Sequence, residues 1–440
     1  MSRRPRRNPV SALSRRKLLA GMAASVPGLL GACGVPSQPA GPRPALAPAT
    51  VTYAFLGNPV FLQMNQDAAK EFEAAQPGVK LELVHMPTGM YDKIQNLYSG
   101  GAAPDVWEPD AARFPGWAAR SSFYDISPLV KRDQGKGAGR IDMDDIWPKY
   151  RRAAEWKGTL HGLLCRFTVN AFFYNETLFD RAGLKYPTDG WTWQIMQDAA
   201  KRLTQGDQFG FLMANWNHWV WMAGGDVMTE RAGKWRSAMG SPASVEALSF
   251  LSDLRHTHRV WPMPEQMEGM DVIKLFAAGR LAMSDQRVTR VADIRAAEGS
   301  LKWDVGPMPK GKAGRFAWGI GVNRCLASQS KAPEAAWAFM RFLFTKPHIA
   351  AISIPPNMSY ARSPAFLEPS KQPKHMSAFL DAIGYSKDNP NEQGRWPDLE
   401  GIVNPELNRL WEGKATARAA GEAIDQKVNA QLAEWGQLAP

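Results

Sequence analysis

The chain has 440 residues, 45% hydrophobic and 22% charged, with 38 Gly and 33 Pro. That composition is globular, with ample residues to bury a core, and the length exceeds one small module, so two domains are expected. A formal charge of +11 would suggest a nucleic-acid or membrane-surface partner, but seven of the 53 basic residues lie in residues 1–32 and no acid precedes Asp67. From Val51 onward 45 basic residues face 42 acidic ones, which argues against nucleic acid and is compatible with a neutral ligand.

Residues 18–32, LLAGMAASVPGLLGA, form an uncharged run broken by Pro27. A bilayer core needs about 20 apolar residues in a helix, so the run is too short to span. Its basic leading flank and small trailing residues are those of a signal peptide. Ser14-Arg15-Arg16-Lys17-Leu18-Leu19 resembles a twin-arginine export signal, and Leu30-Gly31-Ala32-Cys33 resembles a bacterial lipobox, whose cysteine is acylated and becomes the new N-terminus. Residues 33–50 are rich in Pro, Ala and Gly, the composition of an extended tether. The expected product is an extracytoplasmic protein anchored by lipid at Cys33. Cys165 and Cys325 then remain, in an oxidising compartment where a single disulfide or two separate buried thiols are both open readings.

Val51–Leu56 is expected as a strand, followed by a helix carrying Phe61, Ala68, Phe72 and Ala75 on one side and stopped by Pro77-Gly78. Val79–Val84 is the next strand, Tyr91, Ile94, Leu97 and Tyr98 mark a second helix, and Pro104–Trp107 gives a short strand after a Gly-rich turn. This alternation predicts parallel βαβ units. Asp142, Asp144 and Asp145 are expected to cap a helix over Ile146–Trp156, 167–174 is a strand, and Asp189–Leu203 is a helix. Ser241-Pro242 caps a helix with Ala247, Phe250, Leu251 and Leu254, Pro333 opens one that is apolar nearly all round, and the last helix places Ile424, Val428 and Leu432 at steps of four.

Three stretches in order, KEFEAAQPGVKLELV, GGAAPDVWEPDAARFPGWAA and WKGTLHGLLCRFTVNAFFYNETLFDRAGLKYPTDGWTWQIM, resemble the extracellular solute-binding proteins of ABC importers. The subgroup resembled is the carbohydrate-binding one that includes maltose- and glycerol-phosphate-binding proteins. LFAAGRLAMSDQ, WDVGPMPKG and PEAAWAFMRFL continue the pattern, which covers essentially all of residues 51–440. The resemblance implies an α/β, two-lobed periplasmic-binding-protein fold with a hinged interlobe cleft. Lobe 1 would comprise 51–166 plus 312–353, and lobe 2 would comprise 167–311 plus 354–440. The strands joining them would cross near Cys165–Thr168, Lys310–Arg315 and Ile352–Asn357, placing Cys165 and Cys325 in or near the first lobe's sheet. A small-molecule sugar and the transmembrane subunits of an ABC permease are the implied partners, with a monomer as the working unit and no cofactor; a glycerol-phosphodiester or quaternary amine in the same cleft, or a secreted glycosidase, are the alternative readings.

Sugar recognition uses flat apolar faces for C–H surfaces and planar polar groups for hydroxyls, and the chain has 17 Trp against 9 Tyr. Trp216, in a segment expected as a loop, matches a ligand-contacting Trp of the glycerol-phosphate-type binders, with Trp219 as a second candidate. Asn58 and Glu108–Asp110 follow the first and third strands, at the ends that face the crevice in an open α/β sheet. Glu108 matches a family position that hydrogen-bonds ligand. Phe167 and Thr168 fall at the hinge crossing, and Asp285 and Arg287 follow a strand of the second lobe. Trp318 and Gly319 start the return to the first lobe, where glycine would let backbone N–H groups approach ligand. Tyr360, Arg362, Arg395 and Trp396 complete the set. HExxH, GxSxG, GxGxxG and the phosphate loop are absent from the sequence, so an enzyme, a metal site and a nucleotide site are not expected.

Overall fold

The computed structural model describes residues 46–297, 301–347, 352–388 and 396–436. The export signal, Cys33 and Arg395 lie outside the described residues. The first strand, β1 (Ala49–Phe55), buries Val51, Tyr53, Ala54 and Phe55. Asn58 then caps α1 (Pro59–Ala75), whose buried stripe is Phe61, Asn65, Ala68, Ala69 and Phe72. The chain returns as β2 (Val79–His85), parallel to β1 in register Ala49 to Val79 through Phe55 to His85. After α2 (Met90–Ser99), β3 (Val106–Trp107) pairs parallel to the other edge of β1. A short helix, α3 (Phe114–Ala118), follows it. The parallel βαβ arrangement is as the alternation predicts.

The strand Gly162–Asn175 organises the rest of the sheet. Every residue in it except Thr168 is buried, so the sequence reads as an uninterrupted apolar run. Its first half is antiparallel to the strand Ala317–Leu326, which in turn pairs with β3. Its second half is antiparallel to Met283–Arg287 and to Trp303–Gly306. One continuous strand therefore serves two sets of neighbours, and the change falls between Val169 and Asn170. Ile354 joins it from a third segment, exchanging two backbone hydrogen bonds of 2.8 Å with Phe167. The helix Pro333–Phe344 covers the β1 side, where Phe339 meets Phe72 edge-on at 5.2 Å, and Pro242–His256, Trp396–Trp411 and Ala417–Glu434 pack together on the far side.

Three local expectations are corrected. The helix expected from Asp189 begins at Trp193, because the Thr192 hydroxyl caps Ile195 N–H and ends the preceding turn. No helix runs over 146–156: Asp142 caps a single 3-10 turn, Met143–Asp145, and the chain continues through a second, Pro148–Tyr150. It then enters a hairpin pairing Glu155–Trp156 with Thr159–Leu160, whose Gly158 sits at φ +84°. The segment expected as a loop around Trp216 is the helix Asn217–Met222. Cys165 and Cys325 are buried free thiols, and no described helix is long and apolar enough to cross a membrane.

Candidate functional site

Two acids at the end of β3 have opposite surroundings. Glu108 is buried, and its carboxylate is consumed by protein groups. The Tyr53 hydroxyl and Arg324 Nη2, the latter at 2.8 Å, donate to Oε1, while Arg166 Nη1 donates to Oε2. Arg324 Nη2 also reaches the Tyr53 hydroxyl at 3.1 Å. These side chains meet because β1, the loop after β3 and the two long antiparallel strands are neighbours in one sheet. Burial alone would raise the Glu108 carboxyl, but Arg166 and Arg324 outweigh it and hold the group below its ordinary value. Burial, with Glu108 second, pushes the adjacent Cys165 thiol up to about 12, so it stays protonated. Glu108 is thus an internal tie rather than a free acceptor for ligand.

Asp110, two residues on, is half-buried. Its Oδ1 accepts from Arg113 N–H at 3.0 Å, and its Oδ2 accepts from Arg113 Nη1 at 2.6 Å and the Tyr91 hydroxyl at 3.0 Å. The Arg113 guanidinium lies 4.1 Å from the Tyr91 ring centroid. Tyr91 and Arg113 of this group line a cavity of about 870 Å³ with Leu56 and Trp117, and Pro397 and Asp398 of the helix Trp396–Trp411 line it as well. In that helix Trp396 is buried and its indole N–H donates to Glu400 Oε1 at 2.7 Å. Glu400 feels Arg113, Asp110 and Arg287 together, which brings the strand Met283–Arg287 to the same region. Burial, more than Asp110, lifts its carboxyl above the ordinary value against the Trp396 hydrogen bond and the two arginines. Arg287 is exposed, with its guanidinium 4.5 Å from the Trp318 ring centroid. Of the sequence-derived set, Asp110 and Trp396 adjoin the cavity through the lining residues Arg113, Tyr91 and Pro397, while Arg287 and Trp318 stack on each other and are not among its lining residues.

The remaining candidates lie elsewhere. Asn58 Oδ1 accepts from Phe61 N–H at 3.0 Å, the bond of a helix N-cap. Asp285 is fully buried and serves the segment carrying the tryptophans: it accepts from Ala214 N–H at 2.6 Å and from Trp219 Nε1 at 3.2 Å, and His218 Nε2 lies 2.7 Å away. Trp219 is fully buried among Trp193, Phe211 and Phe250, a core position. Trp216, just before that helix, is half-buried against the core. Phe167 is buried beneath Tyr150 at 4.2 Å, and Thr168 is half-buried with its Oγ1 enclosed. A Cβ on Gly319 would come within 2.7 Å of the Phe167 ring, so this glycine permits close strand packing. Tyr360 is half-buried on the short helix Met358–Ala361, and Arg362 is exposed over Trp147 at 5.4 Å, away from the cavity wall. Sequence reasoning passed over Tyr91, Arg113, Pro397, Asp398 and Glu400. The available signals were spacings: Asp110 to Arg113 is i,i+3 and Trp396 to Glu400 is i,i+4, each joined by a side-chain bond.

A cavity at the ends of parallel strands, bounded by two sets of elements that share one long strand, defines a cleft-binding α/β protein. The bacterial extracellular solute-binding protein family matches residues 67–395, and the chain belongs to that family. A putative binding protein of Brucella abortus is 23% identical over 384 residues, covering 83% of this chain and 89% of that protein. The mannitol-binding protein of Pseudomonas aeruginosa is 24% identical over 316 residues, covering 66% and 67% of the two chains. Among solved structures, an ABC substrate-binding protein from Listeria monocytogenes in complex with cycloalternan superposes with a TM-score of 0.78 at 23% identity, covering 88% of this chain and 99% of that one. A solute-binding protein from Agrobacterium radiobacter in complex with ribitol gives 0.73 at 22% identity, covering 88% and 99%. The fold is that of the two-lobed solute-binding proteins.

Proposed function

We propose that this chain captures a neutral sugar or polyol in the cleft and delivers it to the permease of an ABC importer. The observation that carries the reading is the cavity itself: aromatic faces and planar donors line it, and its charges nearly balance. Arg113 and Arg120 on its wall stand beside Asp92 and Asp398, and the Arg113 charge is already met by Asp110. Such a surface hydrogen-bonds hydroxyls with both acceptors and donors and has no excess cation to favour a phosphodiester. The mannitol-binding relative and the cycloalternan and ribitol complexes support the same ligand class.

In this reading the lobes are 51–166 plus 312–353 and 167–311 plus 354–440. Ligand touches both and stabilises the closed form through its differential affinity for that form. The closed monomer then docks on the permease, whose nucleotide cycle pulls the lobes apart. Cys33 carries the lipid, residues 1–32 are the removed export signal, and the following segment is the tether. The chain itself performs no bond-breaking step.

A thermal-shift panel of sugars, polyols, glycerophosphodiesters and quaternary amines tests the ligand class. At 100-fold over its dissociation constant a ligand adds about 2.7 kcal/mol, a shift easily read. Stabilisation by sugars or polyols is expected. Stabilisation by phosphodiesters or amines alone would overturn the reading, and product released from a stabilising glycan would replace it with a glycosidase.

A further inference from the structure

The cavity wall carries two plates of the same construction. At the first, the Arg113 guanidinium lies 4.1 Å from the Tyr91 ring centroid and is tied by Asp110. At the second, the Arg120 guanidinium lies 4.9 Å from the Trp117 ring centroid. Its Nε donates to the Gly116 carbonyl at 2.9 Å and its Nη1 to Gln95 Oε1 at 3.2 Å, which fixes the plane between α2 and the end of α3. Tyr91, Gln95, Arg113, Gly116, Trp117 and Arg120 all line the cavity. Among the described residues, Arg120 Nη2 has no protein acceptor, so the second plate keeps donors to spare. The plates are also offset. Gln95 follows Tyr91 by four residues on α2, about one helical turn of 5.4 Å, and Arg120 follows Arg113 across the length of α3.

A guanidinium laid on an aromatic ring keeps one flat face and the N–H groups along its edge for another partner. One sugar ring fits such a plate, with its C–H surface on the plane and its hydroxyl oxygens at the edge donors. Two plates one turn apart along the same wall are more than a single ring can cover. The volume agrees: small-ligand pockets run from about 300 to 1,000 Å³, and this cavity of about 870 Å³ stands near the upper end. We propose that Arg120, held by Gln95 and Gly116 over Trp117, builds a second sugar subsite, so that the ligand of the cleft is an oligosaccharide of at least two rings rather than a free hexose or hexitol. This rests on the proposed sugar or polyol reading and narrows it to a size class.

The test is calorimetry on the mature protein with two length series, mannose through mannotriose and glucose through maltotriose, beside mannitol. The quantity read is the ratio of trisaccharide to monosaccharide affinity in the series that binds. In the unaltered protein that ratio is expected to reach at least about tenfold. In Arg120→Ala, which removes the plate, it should fall toward one. An unchanged ratio in Arg120→Ala, with the apo melting temperature intact, overturns the inference. Mannitol or a monosaccharide binding the unaltered protein as tightly as the trisaccharide overturns it too. Should Arg120→Ala fail to fold, Arg120→Lys decides, because it keeps the charge and loses the planar face; an unchanged ratio there also counts against the subsite. If neither the sugars nor mannitol bind at all, the functional reading is what fails, and the inference falls with it.

Discussion

Glu108 and Asp110 leave the same strand end two residues apart, yet they belong to different regions of the molecule. Glu108 sits under the sheet edge, where Tyr53, Arg166 and Arg324 take both of its oxygens. Asp110 is half-buried behind the cavity wall, where Tyr91 and Arg113, which line the cavity, take both of its oxygens. The first cluster places two guanidinium groups around one carboxylate, all buried, and ties the loop after β3 to both long antiparallel strands. The second is half-buried, and its two partners Tyr91 and Arg113 line the cavity. Burial, more than residue type, separates an acid enclosed beneath the sheet edge from one held just behind the cavity wall.

The largest effect separating the two regions should come from Glu108→Gln. It leaves Arg166 and Arg324 buried without their counter-charge, and removing one partner of such a group costs about 3–5 kcal/mol. Urea unfolding at neutral pH should show the loss in full. Because the native Glu108 carboxyl lies below its unfolded value, its contribution is present above the ordinary carboxylate range and disappears as pH falls through the native value. The variant's stability should therefore decline less steeply with acid than the parent's. Equal acid limbs in the two proteins would mean the cluster contributes nothing.

The two neighbouring tryptophans pose the same contrast in apolar form. Trp219→Ala empties a fully buried site and should cost about 3–5 kcal/mol of stability. Trp216→Ala removes a half-buried ring at the helix start and should cost less stability than Trp219→Ala, with ligand affinity changed by less than about tenfold because Trp216 is not among the cavity's lining residues. A collapsed Trp216→Ala apo protein would place that ring in the core with Trp219.

Much of the scaffold was legible in the sequence because periodicity reports burial. The β1–α1–β2–α2–β3 alternation, the Ser241 cap and the 424, 428, 432 stripe each encode one buried face. The site was legible only in part. Strand ends near Glu108, Asp110 and Arg287 could be located, but which end residue turns inward depends on partners far off in sequence: Arg324 lies 216 residues from Glu108. Trp219 and Asp285 carry the residue types of a sugar site, yet they meet each other inside the core. Glu400 was missed because an exposed-looking acid on an amphipathic helix carries no local sign that burial and distant charges shift it.

The smallest expected effect concerns Asn58, where cap and ligand roles can be separated by choice of substitution. Its side chain caps α1 through a 3.0 Å bond from Phe61 N–H, and Pro59 at the first helical position needs no such partner. Asn58→Ala should therefore cost about 1 kcal/mol of stability, and Asn58→Ser, which keeps a capping oxygen, much less. A residue that also contacted ligand would lose affinity in both variants, because serine's shorter side chain cannot present the amide's donor and acceptor pair. Unchanged affinity in Asn58→Ser, beside reduced stability in Asn58→Ala, would assign Asn58 to the scaffold with Glu108. A matched affinity loss in the two variants would move it to the cleft with Asp110, and would extend the ligand-facing surface from the loop after β3 to the start of α1.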